Sequence, residues 1–245
     1  MPHSSKETLS IGWCDNGMTD GKFTEGLLYT TLTSAKHGIF FNNAVRVQGN
    51  QIARQRMDLL NIWADQIKTD WLLWVDSDIV LTADILKKIW DAADKVSRPV
   101  VSGVYFVSKA METTLMTPMP TIFMDTEDEF QVEYIHPLPI DSLIKVDSAG
   151  MGLVLMHKSI VPKLREGFPS QNLFQETDQG DGKFIGEDIS FFRKLKKVGI
   201  EVYAHTGALA QHMKRFSYDV AYYGLYWQEY ARQMKIKEEE ANAGN

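Results

Sequence analysis

The sequence contains little cysteine and no long apolar segment. Its one cysteine, Cys14, cannot form an internal disulfide, which suits a reducing compartment. No apolar run approaches the roughly 20 residues that cross a bilayer. The first ten residues, MPHSSKETLS, lack an apolar signal region. These absences predict a soluble, cytoplasmic protein without a transmembrane segment.

Basic residues are also in deficit. The 26 lysines and arginines are outnumbered by 32 aspartates and glutamates, which gives a formal net charge of −6. No Lys/Arg block is long enough to follow a phosphate backbone, so we expect no nucleic-acid partner. The GxxxxGK[ST], GxGxxG, HExxH, CxxC and GxSxG motifs are all missing, which argues against the enzyme classes that depend on them.

The patterns that are present alternate between strand and helix. Strands are predicted at 9–14, 38–45, 71–75 and 98–107, and helices at 23–35, 51–68 and 81–95. This alternation indicates an α/β domain with a largely parallel sheet. For residues 110–146, the sequence predicts loops and irregular or antiparallel strands. A strand near 153–161, a helix at 186–199 and an aromatic-rich C-terminal helix follow.

Two carboxylates come directly after the dense apolar strand WLLWV, in the stretch DWLLWVDSDIVL. If the extended geometry persists, Asp76 and Asp78 face one way and Ser77 faces the other. Two like charges at a strand end need a cation close by, either a metal ion, an arginine or a lysine. The simpler alternative is a solvated turn, with Asp78 or Thr82 capping the next helix.

An arginine and an acidic pair are further candidates. Arg56 falls within the apolar stripe of the 51–68 helix, so it needs a buried acceptor, which a purely structural carboxylate could supply. Glu187 and Asp188 begin a helix after Gly186. They could simply favour the helix dipole, or Asp188 could be a general base at the edge of a closing pocket.

One histidine and two cations follow near the end of the sheet region. His212 could join the two aspartates in an open site for Mn²⁺ or Mg²⁺, although a lone histidine is more often structural. Lys214 and Arg215 could fold over a diphosphate or form an ordinary basic turn.

Taken in order, these motifs resemble the GT-A fold of nucleotide-sugar glycosyltransferases, in the family 2-like group of bacteria and their phages. WLLWVDSDI is similar to the DxD strand, GEDISFFRKLKKVGIEVYAH to the xED segment, and ALAQH to the strand of the last metal ligand. Arg56-Met57 departs from the Arg-Asn usual in the group. The resemblance implies a Rossmann-like, mixed but mainly parallel sheet flanked by helices, with a C-terminal helical extension.

The resemblance also implies a domain division and a site. Residues 1–215 would form the catalytic domain, with a nucleotide-binding part at 8–108 and an acceptor part at 109–215, and 216–245 a helix and tail. Asp76, Asp78 and His212 would hold Mn²⁺ or Mg²⁺ on the diphosphate of a UDP-sugar, or less commonly a GDP-sugar. The nucleotide sugar would be bound by Cys14, Asp15, Arg56, Asp76, Ser77, Gly150, Gly152, Lys214 and Arg215. Asp188, with Glu187 beside it, would deprotonate the hydroxyl of a carbohydrate or other acceptor, with inversion.

Three alternatives stay open on the sequence. A retaining enzyme could use the same metal site and let Asp188 only position the acceptor. A haloacid-dehalogenase-like phosphatase also has a strand followed by DxD, but Val80 stands where it has threonine. A non-catalytic sugar-nucleotide binding module is the third.

The C-terminal segment predicts a helix with one apolar stripe, formed by Val220, Tyr223, Trp227, Tyr230 and Met234. We expect the stripe to pack against the enzyme's own body, a second copy in a homodimer, or an acceptor sugar.

Overall fold

The computed structural model describes residues 7–109, 117–178, 180, 184–214 and 220–243. The chain divides into two compact units. The large unit comprises Met1–Lys109 and Pro118–Met213, and the small unit comprises Ala110–Thr117 and Lys214–Asn245.

Strands and helices alternate through the first part of the large unit, as predicted. The order is β1 Leu9–Asp15, α1 Gly21–Thr33, a 3-10 turn Ser34–His37, β2 Phe41–Gln48, α2 Ile52–Asn61, a π-helical turn Ile62–Ile67, β3 Trp71–Val75, β4 Ile79–Val80, α3 Ala83–Ala92, β5 Val100–Val104 and β6 Phe106–Lys109.

The second part has shorter strands and two helices. Its elements are β7 Thr117–Pro120, β8 Ile122–Asp125, β9 Val132–Tyr134, β10 Leu143–Val146, β11 Ser148–Ala149, β12 Leu153–His157, α4 Ile160–Gly167, β13 Thr177–Asp178, β14 Phe184–Ile185, α5 Glu187–Lys197, β15 Val202–Leu209 and β16 Gln211–His212. The small unit contains α6, Val220–Ala243.

The central sheet has seven strands in the order β10-β15-β5-β12-β3-β1-β2. Five of the seven run in the same direction, and β12 and β10 run against them. This confirms the predicted mixed, mainly parallel sheet. Residues of β3 are fully buried because the strand lies in the middle of the sheet, which explains its continuous apolar run.

Helices cover both faces of the sheet, as the alternating side chains of β3 show. Leu72 and Trp74 join a core cluster with side chains of α2, α4 and α5. Trp71, Leu73 and Val75 join a second cluster with side chains of α1 and α3. Because successive strand residues point to opposite faces, the two clusters are the two sides of a three-layer α/β domain.

Several predicted helix boundaries are confirmed in detail. The Thr82 side chain caps α3 by accepting a hydrogen bond from the Ile85 N–H at 3.3 Å. Gly199 follows α5 with φ of 74°, and the Ile200 N–H donates to the Leu195 carbonyl at 3.0 Å. This is the left-handed end that glycine favours. The 51–68 helix is confirmed, with its last turn widened into the π-helical turn.

The predicted C-terminal helix is confirmed as α6. Its apolar stripe is exposed at every position, from 40% at Met234 to 85% at Val220. Among the described residues, no helix combines the length and the apolar character needed to span a bilayer.

Candidate functional site

The two aspartates after β3 lie in a turn. The Ile79 N–H donates to the Asp76 carbonyl at 3.0 Å, so the chain reverses over 76–79. The extended geometry considered for Asp76 and Asp78 is therefore wrong. The chain turns, as in the alternative, but the turn is not simply solvated, because the Asp76 carboxylate is buried against Arg56. The Asp76 N–H donates to the Gly152 carbonyl at 3.0 Å, and the Ser77 carbonyl accepts from the Asp20 N–H at 3.1 Å. These bonds fix the turn against the segment after β11 and the start of α1.

Arg56 is the centre of a carboxylate cluster. It lies on the buried side of α2 and is 3% exposed. Its Nη2 donates to Asp76 Oδ2 at 3.2 Å, and its Nη1 donates to Glu187 Oε1 at 2.9 Å and also to Asp188 Oδ1. The prediction that Arg56 needs a buried acceptor is confirmed. Its acceptors are three of the candidate site carboxylates, contributed by two separate elements.

The cluster contains more negative than positive charge. Burial alone would lower the pKa of Arg56, but Asp188, Asp76 and Glu187 raise it above its ordinary value. Burial raises the pKa of Asp76 and of Glu187, and in both cases a neighbouring carboxylate adds to the rise. One guanidinium thus serves three carboxylates, and a fourth, Asp78, contributes to the raised pKa of Asp76.

Two buried atoms of the cluster have no hydrogen-bond partner within the described part of the chain. They are Asp76 Oδ1 and Arg56 Nε. A buried acceptor and a buried donor left unpaired are costly, by roughly 1–3 kcal/mol each. Such atoms in a native site call for a ligand, an ion or a water molecule.

His212 is brought to the turn by a two-strand ladder, in which β16 pairs antiparallel with β4. The Met213 N–H donates to the Asp78 carbonyl at 2.8 Å and extends this contact. His212 Nδ1 lies 2.9 Å from the Phe106 carbonyl oxygen, and Nε2 lies 3.2 Å from Asp78 Oδ2. A carbonyl oxygen can only accept, so Nδ1 carries a hydrogen and Nε2 faces the carboxylate.

This geometry fits a divalent cation at the Asp78–His212 pair. With Nδ1 protonated, a neutral imidazole presents a lone pair at Nε2, directly opposite a carboxylate lone pair. A positive centre must separate them, which a second proton or a metal ion provides. An Nδ1–H bonded to a backbone carbonyl is the usual support of a metal-binding histidine.

The predicted trio of metal ligands is not assembled as such. No group of three or more His, Cys, Asp or Glu side chains in the described ranges is arranged to hold a metal ion. The reason is Arg56, which holds Asp76 Oδ2, whereas Asp78 pairs with His212. Asp76 could add only its unpaired Oδ1 to the pair.

The acidic pair at the start of α5 faces the same cluster. Asp188 uses both oxygens, because Oδ1 accepts from Arg56 and Oδ2 accepts from the Met151 N–H at 3.1 Å. Glu187 accepts from Arg56 through Oε1. The pair is therefore more than a favourable charge at a helix start.

Tyr105 is a site residue that the sequence reasoning missed. Its hydroxyl accepts from the Gly152 N–H at 3.1 Å, and its ring meets the His212 ring edge-on at 5.0 Å. A Cβ at Gly152 would lie 2.9 Å from the Tyr105 hydroxyl, and one at Gly150 would also meet that hydroxyl. Tyr105 therefore lies closely against both glycines, and their predicted contact with the nucleotide sugar stays a prediction. No signal in the sequence marked it, because Tyr105 lies within the strand predicted at 98–107.

Asp15 and Cys14, predicted to bind the nucleotide, lie at the end of β1. Asp15 forms a bidentate ion pair with Arg46, at 2.6 and 2.7 Å, and also accepts from Trp13 and Gly17. The Arg46 hydrogen bond lowers the pKa of Asp15. Burial raises the pKa of Cys14 to about 12, so the thiol stays neutral. Their role toward a nucleotide stays a prediction.

The two predicted basic residues have different outcomes. Lys214 is exposed and directly follows the Met213 that bonds the Asp78 carbonyl. Arg215 lies outside the described residues.

No protein-family model and no curated protein matches the chain. Solved structures do. The crystal structure of A197 from STIV has a TM-score of 0.52 at 16% identity, covering 85% of this chain and 86% of that one. The crystal structure of GalNAc-T7 with UDP, GalNAc and Mn²⁺ has a TM-score of 0.51 at 10% identity, covering 86% of this chain and 44% of that one. The chain therefore has a GT-A-like, Rossmann-type fold, in agreement with the resemblance seen in the sequence.

Proposed function

We propose that the protein is a metal-dependent glycosyltransferase. It would move a sugar from a nucleoside diphosphate sugar to the hydroxyl of a carbohydrate or other acceptor. The observation that carries the proposal is the cluster at the end of β3, where Arg56 meets three carboxylates and Asp78 meets His212. Paired carboxylates would repel a diphosphate unless a cation lay between them.

Asp78 and His212 are the residues that would hold Mn²⁺ or Mg²⁺, with Asp76 Oδ1 beside them. When bound, the divalent ion would neutralise charge on the donor diphosphate and on the departing nucleoside diphosphate. Manganese accepts a mixed oxygen and imidazole ligand set more readily than magnesium. We therefore expect Mn²⁺ to support the higher affinity.

The donor would lie over the turn at 76–79. Ser77 is proposed to contact it, with Cys14 and Asp15 at the nucleotide end. Contacts from Gly150, Gly152, Lys214 and Arg215 stay predictions from the resemblance. UDP is favoured over GDP. The GalNAc-T7 structure with UDP, GalNAc and Mn²⁺, which shares only the fold, is consistent with that choice.

Asp188 and Glu187 are the candidates for deprotonating the acceptor. An inverting transfer needs a base at the acceptor hydroxyl, and we propose Asp188 for that role. The contacts of Asp188 with Arg56 and Met151 favour a second candidate, a retaining transferase in which Asp188 only positions the acceptor. Both reactions use the same donor site.

A cavity of about 650 Å³ lies beside α5, but none of the proposed site residues that the structure describes lines it. Its lining includes Arg193, Lys194, Lys196 and Lys197 of α5, so the cavity gives no support for an acceptor position next to Asp188.

Calorimetry tests the metal-dependent donor site. UDP should bind in the presence of Mn²⁺ and bind far more weakly in EDTA. Asp78→Ala should abolish the metal-dependent part, and His212→Ala should weaken Mn²⁺ binding on the order of 10–100-fold. Asp84→Ala is the matched control, because Asp84 is an exposed acid nearby in sequence, at the start of α3. Equal UDP affinity with and without the metal would refute the proposal.

Product analysis separates the remaining classes. A transferase releases nucleoside diphosphate from a nucleotide sugar, a phosphatase releases inorganic phosphate, and a binding module releases neither.

A further inference from the structure

Tyr105 is fixed at the junction of β5 and β6. It is 5% exposed, and its carbonyl accepts from the Thr121 N–H at 3.0 Å and from the Thr121 hydroxyl at 3.0 Å. These bonds set the backbone from which the side chain extends. The backbone of Tyr105 is thus held by the neighbouring strand region, and its side chain is held by its contacts with Gly152 and His212.

The ring of Tyr105 packs against the ring of His212. The two rings meet edge-on, with centroids 5.0 Å apart and planes at 80°. This is the geometry that aromatic pairs prefer. The next residue, Phe106, receives the His212 Nδ1–H through its carbonyl at 2.9 Å. Tyr105 therefore contacts the imidazole ring and Phe106 accepts its Nδ1–H, which leaves Nε2 facing Asp78.

The hydroxyl of Tyr105 holds the segment 150–152. It accepts from the Gly152 N–H at 3.1 Å. The Gly152 carbonyl in turn accepts from the Asp76 N–H at 3.0 Å, and the Met151 N–H donates to Asp188 Oδ2 at 3.1 Å. The segment therefore contacts both a proposed donor-site carboxylate and the proposed base. A shift of this segment would move both.

We infer that Tyr105 is a positioning residue with two separable tasks at the proposed transfer site. Its ring orients His212 for the divalent cation, and its hydroxyl holds residues 150–152 so that Asp76 and Asp188 are correctly placed. The inference rests on the proposed function and names a residue that the motifs do not include. Gly150 and Gly152 support it, because a side chain at either position would collide with Tyr105.

Two substitutions separate the tasks. Tyr105→Phe keeps the ring and removes the hydroxyl, so its Mn²⁺ affinity should stay within about twofold of the wild-type value. The rate of UDP release from UDP-sugars should fall on the order of 10-fold, because the buried Gly152 N–H loses its acceptor. Tyr105→Leu removes the ring as well, so Mn²⁺ affinity should fall on the order of 10-fold or more. Tyr203→Phe is the control, because it removes a hydroxyl on β15 that donates to Glu201, away from the proposed site.

The two tasks are tested on the full chain by calorimetric Mn²⁺ titration, UDP-release assays and melting curves. Wild-type release rates in Tyr105→Phe, or wild-type Mn²⁺ affinity in a folded Tyr105→Leu, would overturn the corresponding task. Simple core packing predicts lower melting temperatures in both variants, with unchanged rates and metal affinity below the transition.

Gly152→Ala replaces Tyr105→Leu as the test variant if Tyr105→Leu does not fold. The added Cβ pushes against the Tyr105 ring without removing it, so both Mn²⁺ affinity and UDP release should fall. Wild-type values for both would overturn the inference. A wild-type protein that binds neither Mn²⁺ nor UDP would instead refute the proposed function itself, which is a different result.

Discussion

Amide substitutions at the two acids of α5 should have unequal effects on stability. Asp188 accepts through both oxygens, from Arg56 and from the Met151 N–H, whereas Glu187 accepts from Arg56 through Oε1. In Asp188→Asn, the new NH₂ group must face one of those two donors. In Glu187→Gln, the amide oxygen can keep the Arg56 bond while the NH₂ group turns away from it.

The size of the difference in stability between the two variants follows from these hydrogen bonds. Each variant removes one carboxylate from the Arg56 cluster, and because Asp188 raises the pKa of Arg56 more than Glu187 does, the loss of charge also weighs more heavily in Asp188→Asn. In addition, Asp188→Asn leaves one buried donor without an acceptor, which costs roughly 1–3 kcal/mol. For a domain of this size, about 2–4 °C of melting temperature corresponds to each kcal/mol, so Asp188→Asn should melt roughly 2–12 °C below Glu187→Gln.

Differential scanning calorimetry in EDTA measures the difference without any metal contribution. UDP-release and transfer assays on the same samples then address chemistry, because loss of a positioned base slows transfer by about 10²–10⁴-fold. Equal melting temperatures would refute the contacts ascribed to Asp188. Wild-type transfer by folded Asp188→Asn would refute its role as base and leave the retaining alternative.

Three further results are expected. Burial alone would raise the pKa of Asp70, but hydrogen bonds from Lys158 and Thr8 lower it to about 2. Because the folded state stabilises the carboxylate, Asp70→Asn should lower the free energy of unfolding in urea by about 2 kcal/mol at pH 7. The difference from the wild type should vanish as the pH falls from about 4 to 2. Cys14, with a pKa of about 12, should resist iodoacetamide at pH 8 until urea unfolds the chain. The exposed stripe of α6 should make the full chain dimeric by light scattering and a chain ending at residue 215 monomeric. Monomers in both cases, with donor hydrolysis retained in the truncated chain, would exclude the homodimer and leave the acceptor platform.

The elements that could be predicted are those whose signal is local. The apolar run of β3, the Thr82 cap and the Gly199 stop each depend on a few neighbouring residues, and each is confirmed. Arg56 was predicted to need an acceptor because its place in the apolar stripe is a property of the helix alone. Its three partners could not be identified, because they come from elements 20 to 132 residues away.

The errors have the same origin. The extended geometry after Asp76 was wrong because the Ser77 and Asp78 carbonyls accept hydrogen bonds from Asp20 and Met213, which are contacts that the local pattern does not contain. Tyr105 was missed because its neighbours, His212 and Gly152, are distant in the chain. A glycine pair signals a close approach, yet the sequence does not say which atoms approach.

The composition of the cluster around Arg56 supports the proposed donor site. Position 56 lies in the apolar stripe of α2, where an apolar side chain of similar volume would often be as stabilising as a buried ion pair. The arginine instead requires burial of a charge, and its guanidinium pairs with three carboxylates. Asp76 Oδ1 and Arg56 Nε have no partner among the described residues, and such buried atoms call for a ligand, an ion or a water molecule. In the proposed function, a divalent cation beside Asp76 Oδ1 would offset the excess of negative charge.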